Sequence, residues 1–301
     1  MGLRIMLTGA TGFLGSHLAR ALVRNKHHVV ILKRSFSDCS RLGDIAGELT
    51  SYDLDKTELR IPFERHQPFD AIIHTATAYG RRDESDAALV ETNVTFPLQL
   101  LQASIQHGTE LFLNTDTFSR TALAWQATYM LGYHLTKKQF AEWGSHLSAI
   151  HQTTFANLRL EHIYGPFDQS SKFIPFITNW CLRNIAELAV TAGEQKRDFV
   201  YVDDAVNAYL VLLENRSALP KGFVEYQVGT GQATSIRELV QKIHALTHSS
   251  IELKFGAIPY REKEIMCSQA DTTALERLDW KSKVRLEDGL AMMLESEEFA
   301  K

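Results

Sequence analysis

A short apolar run, Leu3-Arg4-Ile5-Met6-Leu7, gives way at once to Thr8-Gly9-Ala10-Thr11-Gly12-Phe13-Leu14-Gly15. A segment with Leu14, Leu18, Leu22 and Val23 at helical spacing follows. Strand, glycine turn and helix in that order constrain the fold more than any other feature of the chain. A helix starting there aims backbone N–H groups and the positive end of its dipole at the loop, which makes an anion site. Gly9 allows the tight turn, Gly12 lets a pyrophosphate approach the backbone, and Gly15 lets the helix lie close to the strand. Thr11, Phe13 and Leu14 complete the loop. The spacing is GxxGxxG, and a plain turn also uses glycine, so the weight rests on the position between strand and helix. That position favours a dinucleotide.

Further apolar runs at Val29-Val30-Ile31-Leu32, Ala71-Ile72-Ile73-His74 and Leu111-Phe112-Leu113 alternate with helical patterns at about 87–106 and 128–147. Such alternation is the signature of βαβ units and a parallel sheet. The expected fold is α/β: a Rossmann-type doubly wound parallel sheet with a smaller C-terminal α/β lobe. After Tyr164-Gly165-Pro166 the rhythm changes, which sets a boundary between residues 1–165, with return segments from the C-terminal half, and a substrate lobe at 166–301. Ser235-Ile236-Arg237-Glu238 reads as a capping box opening a helix.

Composition excludes several partners. The 32 Lys and Arg against 36 Asp and Glu leave a net charge of −4, so no global basic field attracts nucleic acid or an anionic membrane. No run reaches the roughly 18 apolar residues of a membrane span, and the N-terminal apolar run is too short for a signal peptide. Cys39, Cys181 and Cys267 are widely spaced, without a CxxC pair, which suits a reducing cytosol. The histidines show no HExxH spacing, so no metal site is expected.

The end of the second strand is where an Asp or Glu would accept hydrogen bonds from the ribose hydroxyls of NAD. Here stand Lys33-Arg34-Ser35. Two cations in place of a carboxylate suit the 2′-phosphate of NADP, whereas a solvated loop cluster is the bland alternative. Asp53-Leu54, after the third strand, is placed to reach the adenine.

Tyr133 and Lys137 are four residues apart in a helical stretch, which puts phenol and ammonium on one face. A nearby cation favours the phenolate, the direction an acid–base tyrosine needs. Tyr52 and Lys56 share the spacing but lack a third partner. Tyr133 has one, because Asn114-Thr115-Asp116-Thr117 closes the preceding strand and the Thr115 hydroxyl can share a substrate oxygen.

The glycine loop, His74-Thr75-Ala76, Asn93, the Thr115/Tyr133/Lys137 set, Arg159 to Pro166 and Arg197-Asp198-Phe199-Val200-Tyr201-Val202-Asp203-Asp204 together resemble the extended short-chain dehydrogenases/reductases acting on nucleotide sugars. The resemblance runs from Leu3 to about Leu294. The segments Leu113 to Phe118, Leu158 to Pro166, Glu225 to Gly231 and Phe255 to Ile258 resemble members that reduce the 4-ketone of a CDP-4-keto-3,6-dideoxyhexose with NADPH. Such enzymes make activated deoxysugars for surface polysaccharide.

The resemblance implies that Tyr133 protonates O4 as hydride arrives, that Lys137 binds the nicotinamide ribose, and that Thr115 hydrogen-bonds the carbonyl. It further implies cofactor contacts at Thr75, Ala76, Thr77, Asn93 and His162, and substrate contacts at Asp116, Thr117, Glu161, Lys172, Arg197 and Arg261. The two arginines would hold the diphosphate; the plain alternative for Arg197 is a salt bridge to Asp198. Relatives are commonly homodimers through the helices at 87–106 and 128–147, with the sugar bound between the two domains.

Three other reactions or roles compete. The 4,6-dehydratase relatives carry Thr-Asp-Glu where this chain has Thr115-Asp116-Thr117, so dehydration lacks its base. The 4-epimerase relatives retain NAD, against which Lys33 and Arg34 argue. A non-catalytic NADP sensor would have no need for a phenol beside a lysine.

Overall fold

The computed structural model describes residues 2–80, 84–120 and 130–296. Strands and helices alternate from the start: β1 (Arg4–Thr8), α1 (Phe13–Arg24), β2 (His28–Lys33), β3 (Leu49–Asp53), α2 (Arg60–His66), β4 (Ala71–His74), α3 (Asp86–Val90), α4 (Phe96–Gln106), β5 (Leu111–Thr117), α5 (Leu131–His151) and β6 (Thr154–Leu160). The chain continues through β7 (His162–Tyr164), α6 (Phe173–Leu182), β8 (Glu187–Val190), β9 (Lys196–Tyr201), α7 (Val202–Glu214), β10 (Gly222–Val228), β11 (Ala233–Ser235), α8 (Ile236–Leu246), β12 (Glu252–Phe255), α9 (Thr273–Glu276) and α10 (Leu286–Leu294). The long helix expected from Thr128 is α5, and Thr128 itself lies outside the described residues.

Seven strands form one sheet in the order β10-β6-β5-β4-β1-β2-β3. β1 pairs in parallel with β2 and β4, β2 with β3, and β4 with β5. The order reverses at β1, which makes the doubly wound Rossmann sheet expected from the βαβ rhythm and puts a binding crevice at the carboxyl ends of its strands. Ile5, Met6, Leu7, Ile72 and Ile73 are fully buried, as strands covered by helices on both faces must be.

The contacts divide the chain into two compact units. The first runs to Arg159 and takes back Val206–Tyr226; the second holds Leu160–Ala205 and the chain from Gln227 onward. In the first unit, Phe112 and Phe155 stack with centroids 5.4 Å apart, and Phe140 of α5 meets both edge-on. One turn along, Gly144 faces the Phe155 ring so closely that a Cβ there would sit 2.3 Å from Cζ. The missing side chain lets α5 lie against the sheet and fixes the height of Tyr133 and Lys137 above it.

The helix expected at 87–106 is present with one correction: Glu91–Thr95, between α3 and α4, is a π-helical turn. Pro97 lies in the first turn of α4 and has no N–H for the carbonyl four residues back, at Asn93. The wider turn directs the Asn93 side chain inward.

In the second unit β9 is central to a three-stranded sheet with β11 and β7, and β12 pairs in parallel with β8. Buried Asp198 knits this unit by accepting from Thr230 N, Gly231 N and Ala270 N. Asp204 accepts from Lys283 N and Val284 N, each at 2.9 Å. The Ser235/Glu238 capping box opens α8 as expected. Among the described residues no helix is long and apolar enough to cross a membrane.

Candidate active site

The glycine loop leaves β1 through Gly9, whose φ of +72° suits glycine. A Cβ there would meet Thr75 Oγ1 at 2.5 Å and Ala76 N at 2.6 Å, and one at Gly15 would lie 2.0 Å from Gly9 O. Gly12 N donates to Gly9 O at 2.9 Å, which closes the turn. Gly12 caps α1 with no side chain on the first-turn N–H groups, so Phe13 and Leu14 begin the helix and Thr11 lies just before it. A close-packed backbone cradle leading to an uncapped helix start fits a dinucleotide pyrophosphate.

On the opposite side of the loop, Thr75 Oγ1 donates to Thr8 O at 2.8 Å, and Thr8 Oγ1 lies 2.7 Å from His74 Nδ1. Burial and the Lys137 charge hold His74 well below the usual imidazole pKa, so it is neutral. Thr75, Ala76 and Thr77 follow β4 at the crevice, where Thr77 Oγ1 accepts from Lys137 Nζ at 3.0 Å.

At the ends of β2 and β3 two of the expected cofactor residues are joined to each other. Lys33 and Asp53 were expected to serve the cofactor separately, at the 2′-phosphate and the adenine. The parallel register makes them direct neighbours, and the Lys33 ammonium is ion-paired to the Asp53 carboxylate. Arg34 is exposed, lies 4.9 Å over the Phe36 ring, and has no carboxylate partner among the described residues. Leu54 packs partly against the core. Tyr52, the rival of Tyr133, bonds His66 at 2.8 Å.

Lys137 is buried at 3% exposure. Its Nζ donates to Thr77 Oγ1 and, at 2.8 Å, to Thr115 O. One ammonium thus ties the loop after β4 to the end of β5. Burial lowers its pKa to about 8, against which Asp116 acts. Tyr133, one turn earlier, is also buried, with its ring 5.1 Å from Tyr79 and 5.3 Å from His134. Thr115 Oγ1 lies 2.7 Å from the Tyr209 hydroxyl. Asn93, expected at the cofactor, is bonded within the protein: its amide exchanges hydrogen bonds of 2.8 Å with Ala78 N and O and donates to Thr136 Oγ1 at 3.0 Å. It pins the loop after β4 to α5, and so sets the reach of Lys137 to Thr77.

Asp116 is buried, accepting from Thr117 N and from Asn157 Nδ2 at 2.8 Å each. Asn157 is in turn linked to Asn114 and Glu225, and Glu225 to Arg159. A polar ladder therefore crosses β5, β6 and β10. Thr117 Oγ1 lies 2.8 Å from Ser119 Oγ, which bonds His134 Nδ1.

In the second unit Glu161 is buried and accepts from Ser268 Oγ at 2.7 Å. His162 lies 5.6 Å from the Phe199 ring, and burial lowers its pKa, opposed by Glu161. Arg197 is not paired with Asp198, the plain alternative: consecutive strand residues point to opposite faces, and its guanidinium donates to Glu264 Oε1 at 2.6 Å and to Lys196 O at 2.8 Å. Exposed Arg261 is near enough to oppose the Arg197 charge. Lys172 occupies the position just before α6, without a side-chain bond to the first turn.

A model of the NAD dependent epimerase/dehydratase family matches residues 5–229. The chain belongs to this family. A family member named CDP-abequose synthase, from Salmonella typhimurium (strain LT2), is 36% identical over 296 residues, spanning 96% of this chain and 97% of that protein. Another of that name, from Salmonella muenchen, is 33% identical and covers 98% of each chain. Among solved structures, UDP-glucose 4-epimerase from Thermotoga maritima, with UDP-glucose, superposes with a TM-score of 0.83 at 24% identity over 97% of this chain and 98% of that one.

Several of the polar partners described above were not marked as site residues from the sequence. Asn157, Arg159 and Glu225 left a trace: polar residues two apart in otherwise apolar strands point to a common face. Tyr209, Glu264 and Ser268 left none, since each meets its partner across a long sequence separation.

Proposed function

We propose that the protein is an NADPH-dependent nucleotide-sugar 4-ketoreductase. It reduces CDP-4-keto-3,6-dideoxyglucose to CDP-abequose, or to the C4 epimer CDP-paratose, for surface polysaccharide. The observation that carries this reading is the junction of Thr77, Thr115 and Lys137, with buried Tyr133 one helical turn before Lys137. When bound at the glycine loop, NADPH supplies the hydride for C4. Tyr133 donates its phenolic proton to the ketone oxygen, Thr115 hydrogen-bonds that oxygen, and the Lys137 ammonium favours the resulting phenolate. Solvent then returns the proton to Tyr133.

Asp116 accepts from Asn157 and Thr117 N and is followed by Thr117 in place of a glutamate, which speaks against dehydration. Arg197 and Arg261 are proposed to hold the diphosphate, with Lys172, Glu161, Asp116 and Thr117 toward the sugar and His162 toward the nicotinamide. Arg34 is the cation proposed to meet the 2′-phosphate. The working form is proposed to be a homodimer through α3, α4 and α5.

The test is oxidation of NADPH, read by loss of reduced-nicotinamide absorbance with CDP-4-keto-3,6-dideoxyglucose, and product configuration at C4 read by NMR. Tyr133→Phe is expected to abolish turnover and leave NADPH binding intact; unaltered turnover would remove Tyr133 as the acid. One observation favours a second reading, an NAD-retaining 4-epimerase: Lys33 is tied to Asp53, which weakens its pull on a 2′-phosphate. Copurified NAD, with epimerisation and no net NADPH oxidation, would establish that reading instead.

A further inference from the structure

Tyr209 lies on α7, in the part that belongs to the first unit, and is wholly buried; its hydroxyl is 2.7 Å from Thr115 Oγ1. Either oxygen can donate across such a pair, and the surroundings decide which does. Among the described residues this is the phenol's only hydrogen bond. Were Thr115 the donor, the phenolic O–H would be left in the core with no acceptor, at the full desolvation cost of an unmet donor. Burial also pushes the Tyr209 phenol's pKa upward, so the proton stays on it.

Tyr209 therefore donates and Thr115 Oγ1 accepts. The half-buried Thr115 meets no other side-chain acceptor among the described residues, so its own proton is turned away from Tyr209. Its carbonyl is held separately by Lys137 Nζ at 2.8 Å. We infer that Tyr209 is a positioning residue: its phenol donates to Thr115 Oγ1 and so aims the threonine proton at the substrate's ketone oxygen. Accepting a hydrogen bond also polarises the threonine O–H and makes it a better donor. The inference rests on the ketoreductase reading, in which Thr115 touches that oxygen.

The kinetic test is a double-mutant cycle of Tyr209→Phe and Thr115→Val, both close in shape to the residues they replace. Tyr209→Phe is expected to lower kcat by about tenfold with the KM for NADPH essentially unchanged, and to add almost nothing once Thr115 is Val. Undiminished kcat, or the same loss in the Thr115→Val background, would overturn the inference, the latter because a merely structural tyrosine acts regardless of the threonine. The hydrogen bond is read without turnover by ultraviolet resonance Raman: the difference spectrum between the unsubstituted protein and Tyr209→Phe isolates this phenol. A donor pattern in its Fermi doublet is expected, and an acceptor pattern would refute the inference. No NADPH oxidation by the unsubstituted protein would overturn the ketoreductase reading, and with it the aim of Thr115, while the Raman pattern still decides the bond.

Discussion

Burial sets the charge on Lys137. Its ammonium keeps two hydrogen bonds, to Thr77 and Thr115, but desolvation brings its pKa from 10.5 to about 8. Below that pH the charge that the proposed reaction uses to favour the Tyr133 phenolate is present, and above it the charge is lost. Because kcat/KM reports groups of the free enzyme, kcat/KM for NADPH is expected to fall as pH rises through about 8. Lys137→Arg should move that limb upward, since a guanidinium stays charged; a pH profile flat across this range would count against the role. The stability effect has the opposite sign. Between about 8 and 10.5 the unfolded lysine holds a proton the folded one has released, so this residue makes the fold more stable as pH rises through that window. The i, i+4 spacing of Tyr133 and Lys137 was legible in the sequence, whereas the burial that tunes the lysine was not.

Helix α5 carries both residues, and its placement depends on Gly144. Alanine is normally about 1 kcal/mol better than glycine inside a helix. Here the added methyl would lie 2.3 Å from the Phe155 ring, itself stacked between Phe112 and Phe223. Gly144→Ala is therefore expected to destabilise by about 1–3 kcal/mol through overpacking, seen as a lower Tm, and to reduce kcat by shifting Tyr133 and Lys137. A raised Tm would show that α5 has room to spare. At this scale the helices and strands followed from apolar periodicity. The π-helical turn ahead of Pro97 did not, because periodicity over 87–106 reports a buried face and not how the turns within it are bonded. Asn93 shows the consequence: marked as a cofactor residue, it spends its amide on Ala78 and Thr136.

For the molecule as a whole, Leu131, Leu135, Trp143 and Ile150 leave an apolar stretch of α5 exposed, with Trp143 at 44% and Ile150 at 58%. Exposed aromatic and aliphatic side chains grouped on one helix suit a subunit interface. Trp143→Glu is expected to convert the proposed dimer to a monomer by light scattering, and an unsubstituted protein that is already monomeric would remove the dimer. The doubly wound sheet, the tight glycine turn from β1 into α1, the Tyr133 and Lys137 pair and the α8 cap were determined by the sequence alone, because each is written in local spacing: glycines at a strand end, i, i+4 neighbours, a cap three residues from its partner. Only the tertiary structure decided that Lys33 neutralises Asp53, that Arg197 meets Glu264 instead of Asp198, and that Tyr209 reaches Thr115. Those pairings are products of strand register and helix packing, which bring together residues that no local pattern relates.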